Sequence, residues 1–141
     1  MMEKAFQNFI PEEILNLSID QEFSASDSKE LIWQLFGRKL GHNTPGYPLS
    51  AEAEIWMVSV DNTERSGWKN RYLDAEHNEV EEHNGNYDED ADHDGKLKYS
   101  IRILFEKIKN QNKYIYRGIY YRARISDDER TRVYKRKNVN D

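Results

Sequence analysis

The sequence predicts an α+β domain, and three observations predict it. Helix signals are confined to residues 11–37, the apolar residues recur at a period of two from residue 54 onward, and no stretch reads as a linker between units. One domain, 1–141, is expected, with a helical part and loop over 1–50 and a β-rich part over 51–137. Aromatic residues make up 12% of the chain, nine of them tyrosines, which is too many for a disordered segment and suits half-buried strands.

Pro11-Glu12-Glu13 opens a first helix, with proline at its first position, acids at the positive end of its dipole, and Ile14, Leu15 and Leu17 as its apolar stripe. Ser18 to Phe23 reads as a short extended piece. A second helix is better signalled: Asp27 is its cap, Glu30 completes a capping box, Leu31, Ile32, Leu35 and Phe36 follow at helical spacing, and Gly37 stops it. Gly41 to Ser50, with Pro45, Gly46 and Pro48, is a loop. Glu54 to Val60 is a buried strand, Asp61 to Gly67 a turn-rich loop, and Trp68 to Leu73 a weaker strand. Asp74 to Gly95 is an acidic stretch in which Asn84-Gly85 offers a hairpin turn. Leu97, Tyr99, Ile101, Ile103 and Phe105 then alternate, Lys109 to Asn112 turns, and Tyr114 to Ile125 forms a long strand in which Gly118 marks a bulge or a close backbone approach. Thr131 to Lys135 returns after a turn at Ser126 to Glu129.

Several classes are excluded. With no cysteine there is no disulfide framework and no thiolate zinc site, which fits a reducing compartment. No apolar run approaches the ~20 residues of a membrane helix, and Met1 to Phe9 lacks the apolar core of a secretion signal, so no membrane association and a cytoplasmic location are expected. The net charge of −5 hides a division: residues 1–95 hold 7 Lys+Arg against 21 Asp+Glu, and residues 96–141 hold 14 against 5. Either basic strands pair with acidic segments inside the domain, or one end presents a basic face to a polyanion.

Three constellations carry chemistry. The basic residues of the last third, Arg117, Arg122, Arg124 and Arg132 among them, interleave with Tyr114, Tyr116, Tyr120 and Tyr134, and alternation on a strand points Arg122 and Arg124 the same way. Cations hold phosphates and rings stack on unpaired bases, as nucleic-acid binding requires; solvated strands with tyrosines in the core are the plain alternative. Asp90, Asp92, Asp94 and Gly95 have the spacing of a calcium loop, but Ile101 stands where the bidentate glutamate belongs, so these are weak metal candidates. His77, His83 and His93 fit no compact metal pattern. With no phosphate loop, nucleophile elbow or nuclease-like carboxylate–lysine set, neither an enzyme nor a cofactor is expected.

The order of these pieces resembles the PUA/SRA-like domains found beside nuclease and helicase modules in bacterial restriction systems. The resemblance rests on Glu22 to Asp27 leading into Leu31 to Gly37, Ile55 to Val60, Ser66 to Asn70, Ile103 to Glu106, Tyr114 to Tyr120 and Thr131 to Tyr134. It implies a curved, mostly antiparallel, barrel-like sheet with two or three flanking helices, and recognition of a modified or flipped base in a concave aromatic pocket. Carried over, the pocket would be lined by Trp56, Trp68 and Tyr47, with Asn70 reading a base edge. The acidic Glu79 to Asp94 replaces the family's glycine-rich stretch, and its charge would repel duplex phosphates. A nucleic-acid-binding module without catalysis of its own is therefore the first reading. A protein-binding regulator or DNA-mimic inhibitor acting through residues 74–94 is the alternative, and a metal-dependent enzyme the third.

Overall fold

The computed structural model describes residues 10–86 and 99–137. Among these described residues, two helices and eight strands follow in the order α1 (Glu12–Leu15), β1 (Glu22–Ser24), α2 (Ser28–Phe36), β2 (Gly46–Pro48), β3 (Ala53–Val58), β4 (Trp68–Tyr72), β5 (Glu79–Asn84), β6 (Ile101–Ile108), β7 (Lys113–Ile125) and β8 (Thr131–Arg136).

The strand order is β2-β3-β6-β7-β8-β5-β4, with β1 added to β7. All pairings are antiparallel except β3 with β6. The path does not close, but it curls strongly. Arg102 on β6 reaches Glu82 on β5 at 2.9 Å, although β7 and β8 stand between them in the sheet. Three strand spacings of ~4.8 Å would put them about 14 Å apart on a flat surface. Asn62 N also donates to Asn70 O at 2.8 Å, which brings β4 against the segment that follows β3. The result is an open, nearly barrel-shaped wrap.

Alternation divides the side chains between two faces. Ile55 and Met57 of β3 and Ile103 and Phe105 of β6 face the helices, where they meet Ile14, Leu31 and Ile32. Each fully buried aliphatic of this kind is worth about 1.5–3 kcal/mol. Trp56, Leu104, Val80, Tyr120 and Tyr134 line the inside of the wrap. A bulge at Arg117 makes this division work on β7: Phe105 pairs with Tyr116, whereas Leu104 pairs with Gly118. The extra residue inverts the phase, so Tyr114 and Tyr116 face the helices and Tyr120 faces inward. Gly118, at φ +124°, is where the backbone takes up the kink.

α2 forms as its sequence dictates. Asp27 accepts from Glu30 N at 2.9 Å, Glu30 accepts from Ser26 N at 2.8 Å, and Gly37 closes the helix in the left-handed region at φ +66°. The Ser26 hydrogen bonds hold the Glu30 carboxyl below its ordinary pKa. At α1, proline stands at the cap rather than inside the helix, and Leu15 stays exposed.

Three expectations need correction. The 41–50 loop contains the edge strand β2, which ends at Pro48 and pairs with β3. A proline is tolerated there because it stands at a strand end. The acidic 74–95 stretch contains β5, which is flanked on both sides by β4 and β8. Its alternating burial is carried by Val80, Glu82 and Asn84, so two of three inward positions are polar and apolar periodicity missed the strand. Asn84-Gly85 therefore does not turn the hairpin it suggested. The chain turns between β4 and β5 over residues 73–78, where Asp74 accepts from the backbones of Asn78 and Glu79.

Candidate functional site

The inner face gathers an ion-pair network that the sequence reading had not assembled. Glu82 accepts from Arg102 at 2.9 Å and from Arg132 at 3.3 Å, and Arg102 Nε lies 3.2 Å from Glu54. These four side chains are between 1% and 6% exposed, so the charges meet with almost no water between them. Two cations against two anions leave the group neutral, which is what makes its burial tolerable. The Arg102 guanidinium is also stacked, 4.7 Å from the Trp56 ring centroid and 4.8 Å from that of Tyr134. Burial alone would loosen its proton, but the Glu82 and Glu54 carboxylates outweigh that and push its pKa further up. Arg132 lies under Trp68 at 5.3 Å.

This network floors a cavity of about 610 Å³. Its inner half is lined by Trp56, Trp68, Asn70, Glu54, Glu82 and Arg102. The lining continues past Val58 and Ser59 to Met57, on the other face of β3, and to the hairpin between β6 and β7. The opening is framed by the 61–67 loop, which an ion pair braces: Arg65 donates from both terminal nitrogens to Asp61 at 3.2 Å. The Arg65 hydrogen bonds pull the Asp61 carboxyl down to a pKa of about 2.

Asn70 occupies a telling position. Its amide nitrogen donates to Ser59 O at 3.4 Å, so its oxygen points away from that carbonyl. Asn70 lines the cavity, and its Oδ1 is buried with no hydrogen-bond partner among the described residues. A buried acceptor left unmatched costs about 1–3 kcal/mol.

The remaining candidate residues are placed as follows. Trp56 is 4% exposed and Trp68 is half-buried; both line the cavity with Asn70. Tyr47 stands elsewhere, on the helix-facing side, stacked 5.8 Å from Phe36 and accepting from Arg38 at 3.1 Å. Arg132 is buried, and its charge is turned onto Glu82. Arg117, at the bulge, is bound to Asp20 at 2.8 Å and Glu106 at 2.9 Å. Arg124 pairs with Glu79 at 3.2 Å. Arg122 and Arg124 do not share a face. A second register shift pairs Arg122 with the inward Tyr134 and Arg124 with Val133, so alternation is broken between them. Asp90, Asp92 and Asp94 lie outside the described residues. Among the described residues no group of three His, Asp or Glu side chains is placed to hold a metal, and no helix is long and apolar enough to cross a membrane.

The residues missed by the sequence reading are Arg102, Glu82 and Glu54. Their signal was in the alternation itself. If Ile101, Ile103 and Phe105 face one side of β6, Arg102 must face the other, and that side is the inside of the wrap.

Residues 16–139 match the SET and RING associated domain. Among solved structures, the chain is similar to the 5-hydroxymethylcytosine-specific restriction enzyme AbaSI, with a TM-score of 0.58 at 19% identity over 84% of this chain. The match spans 39% of that enzyme's chain. No curated protein matches the chain.

Proposed function

The chain belongs to the SET and RING associated domain family, and from that premise we propose that it is a DNA-binding module that takes a modified base into the cavity of its inner face. The reading assigns the chain recognition and no catalytic step of its own. The observation that carries it is the grouping of Trp56, Trp68 and Asn70 around a single cavity, with the Asn70 Oδ1 buried and unmatched beside it. The volume, about 610 Å³, falls in the usual range for small-ligand sites, roughly 300–1,000 Å³.

Each group has a stated task in this reading. Trp68, on the edge strand β4 at the cavity wall, offers a ring on which a flipped base stacks, an interaction worth ~1–3 kcal/mol per base. Asn70 accepts from the exocyclic amine of that base, and among the pyrimidines cytosine alone carries such a donor. The similar restriction enzyme is named for 5-hydroxymethylcytosine, a base with that amine. Trp56 is held against Arg102, so its orientation is fixed before any base arrives. Flipping costs a few kcal/mol of unstacking, which the stacking and the hydrogen bond offset.

Fluorescence anisotropy on duplexes carrying 5-hydroxymethylcytosine or plain cytosine at one position tests the reading. Tighter binding of the modified duplex is expected, and Trp68→Ala should lower that affinity by about 5- to 150-fold, the span of ~1–3 kcal/mol. Equal, weak binding of both duplexes by the unaltered chain at low salt would overturn it. Among the described acids of the alternative, Glu79 and Glu81 are paired with Arg124 and Arg71, and Glu82 is buried; Asp88 to Asp94 lie outside the described residues.

A further inference from the structure

Resting on the reading of the chain as a DNA binder, we infer that Lys107 and Lys109, at the end of β6, hold the backbone phosphates beside the captured nucleotide. A base drawn into the inner cavity brings its own phosphates to the cavity's outer end, and those charges need cations. Four arginines of the basic third are committed elsewhere. Arg102 and Arg132 are bound to Glu82, Arg117 to Asp20 and Glu106, and Arg124 to Glu79. Arg65 is bound to Asp61.

Lys107 and Lys109 differ on each count. Both line the cavity, both are exposed, and neither makes an ion pair among the described residues. Glu106 lies between them and the inner face, but it accepts from Tyr72 at 2.7 Å and from Arg117 at 2.9 Å, so its charge is drawn inward. Asp27, the carboxylate on this side of the cavity, accepts from Glu30 N at the start of α2. The hairpin that carries the lysines is also well anchored. Ile108 pairs with Lys113 across it, and Asn112 O accepts from Ala25 N at 3.0 Å. Two lysines on a fixed turn present their charges without a loop having to order first.

The test is a salt titration of duplex binding by the full chain and by the Lys107→Ala/Lys109→Ala variant, with Lys69→Ala, on β4, as a control cation. Each phosphate contact contributes roughly 0.9 to the slope of log affinity against log salt, so the double variant should lose about 1.8. Between 50 and 200 mM salt the parent's affinity should then fall about 12-fold more than the variant's. The loss should appear with the modified duplex, and binding of the free modified nucleoside should not change. An unaltered slope in the variant, with the parent still binding, overturns the phosphate assignment and leaves the base-reading proposal standing. If Lys69→Ala lowers the slope as much, the assignment also falls. If the parent binds no DNA at low salt, both proposals fall together.

Discussion

Glu82→Gln should destabilise the domain by about 3–5 kcal/mol, although it removes no volume and changes one atom. The substitution leaves Arg102 and Arg132, each 1% exposed, facing an amide in place of a carboxylate. At an effective dielectric of ~20, charges at the observed 2.9 Å and 3.3 Å attract by about 5 kcal/mol each. Desolvation of the ions cancels much of that in the intact network, but the cost of burying the arginines persists once the anion is gone. Arg102 keeps Glu54 at 3.2 Å, which holds the loss to the range for breaking one buried partner. Against a total stability of ~5–15 kcal/mol this is a large share. Urea denaturation followed by tryptophan fluorescence measures it. A midpoint shift equivalent to less than 1 kcal/mol would refute the claim that these charges are mutually dependent. A double variant, Glu82→Gln with Arg132→Met, should lose less than the sum of the two single losses, because the second change removes one of the cations that the first has stranded.

Gly118→Ala should cost about 1–3 kcal/mol, since φ +124° is strained for any side chain and the new Cβ would stand 2.9 Å from Arg136 Cδ; thermal unfolding detects it, and no change in Tm would contradict the bulge argument. Asp61→Asn should destabilise modestly at neutral pH, by under about 1 kcal/mol because the pair with Arg65 is more than a third exposed. The sign follows from a carboxyl whose folded pKa, about 2, lies below its ordinary 3.8. Its contribution is present above pH 4 and fades as the pH falls toward 2, so parent and variant should converge there in acid titrations of stability.

What the sequence discloses tracks how local the cause is. α2 was legible to the residue, because Asp27, Glu30 and Gly37 act within one or two turns. β6 and the long β7 were legible because alternation needs only neighbours, and Gly118 correctly flagged an irregularity. β5 was hidden for the opposite reason. Its inward Glu82 is tolerable only because Arg102 and Arg132 arrive from β6 and β8, and nothing near Glu82 in the chain announces them. The division of charge was visible, but its resolution was not: acids of the first part are spent on arginines of the last, as with Glu79 and Arg124. The two register shifts on β7 decide which rings face inward and separate Arg122 from Arg124, and a period of two cannot foresee them. Trp68 and Asn70 share a face on β4 by simple spacing, whereas Tyr47 lands on the far side because β2 pairs with β3 opposite Ile55.

The parallel match of β3 with β6 has a kinetic side. The hairpins β4–β5, β6–β7 and β7–β8 can each zip from a turn, with little chain entropy to overcome. β3 has no such turn to its partner; the whole β4–β5 excursion must be looped out before Ala53 finds Ile101. β5 meets β8 over a span at least as long, Glu79 opposite Lys135, so both joins that carry Glu54, Trp56 and Glu82 to the cavity are long-range. Closure of the cavity walls thus waits on long-range pairings, and any slowing of them delays the finished cavity more than it delays the local hairpins.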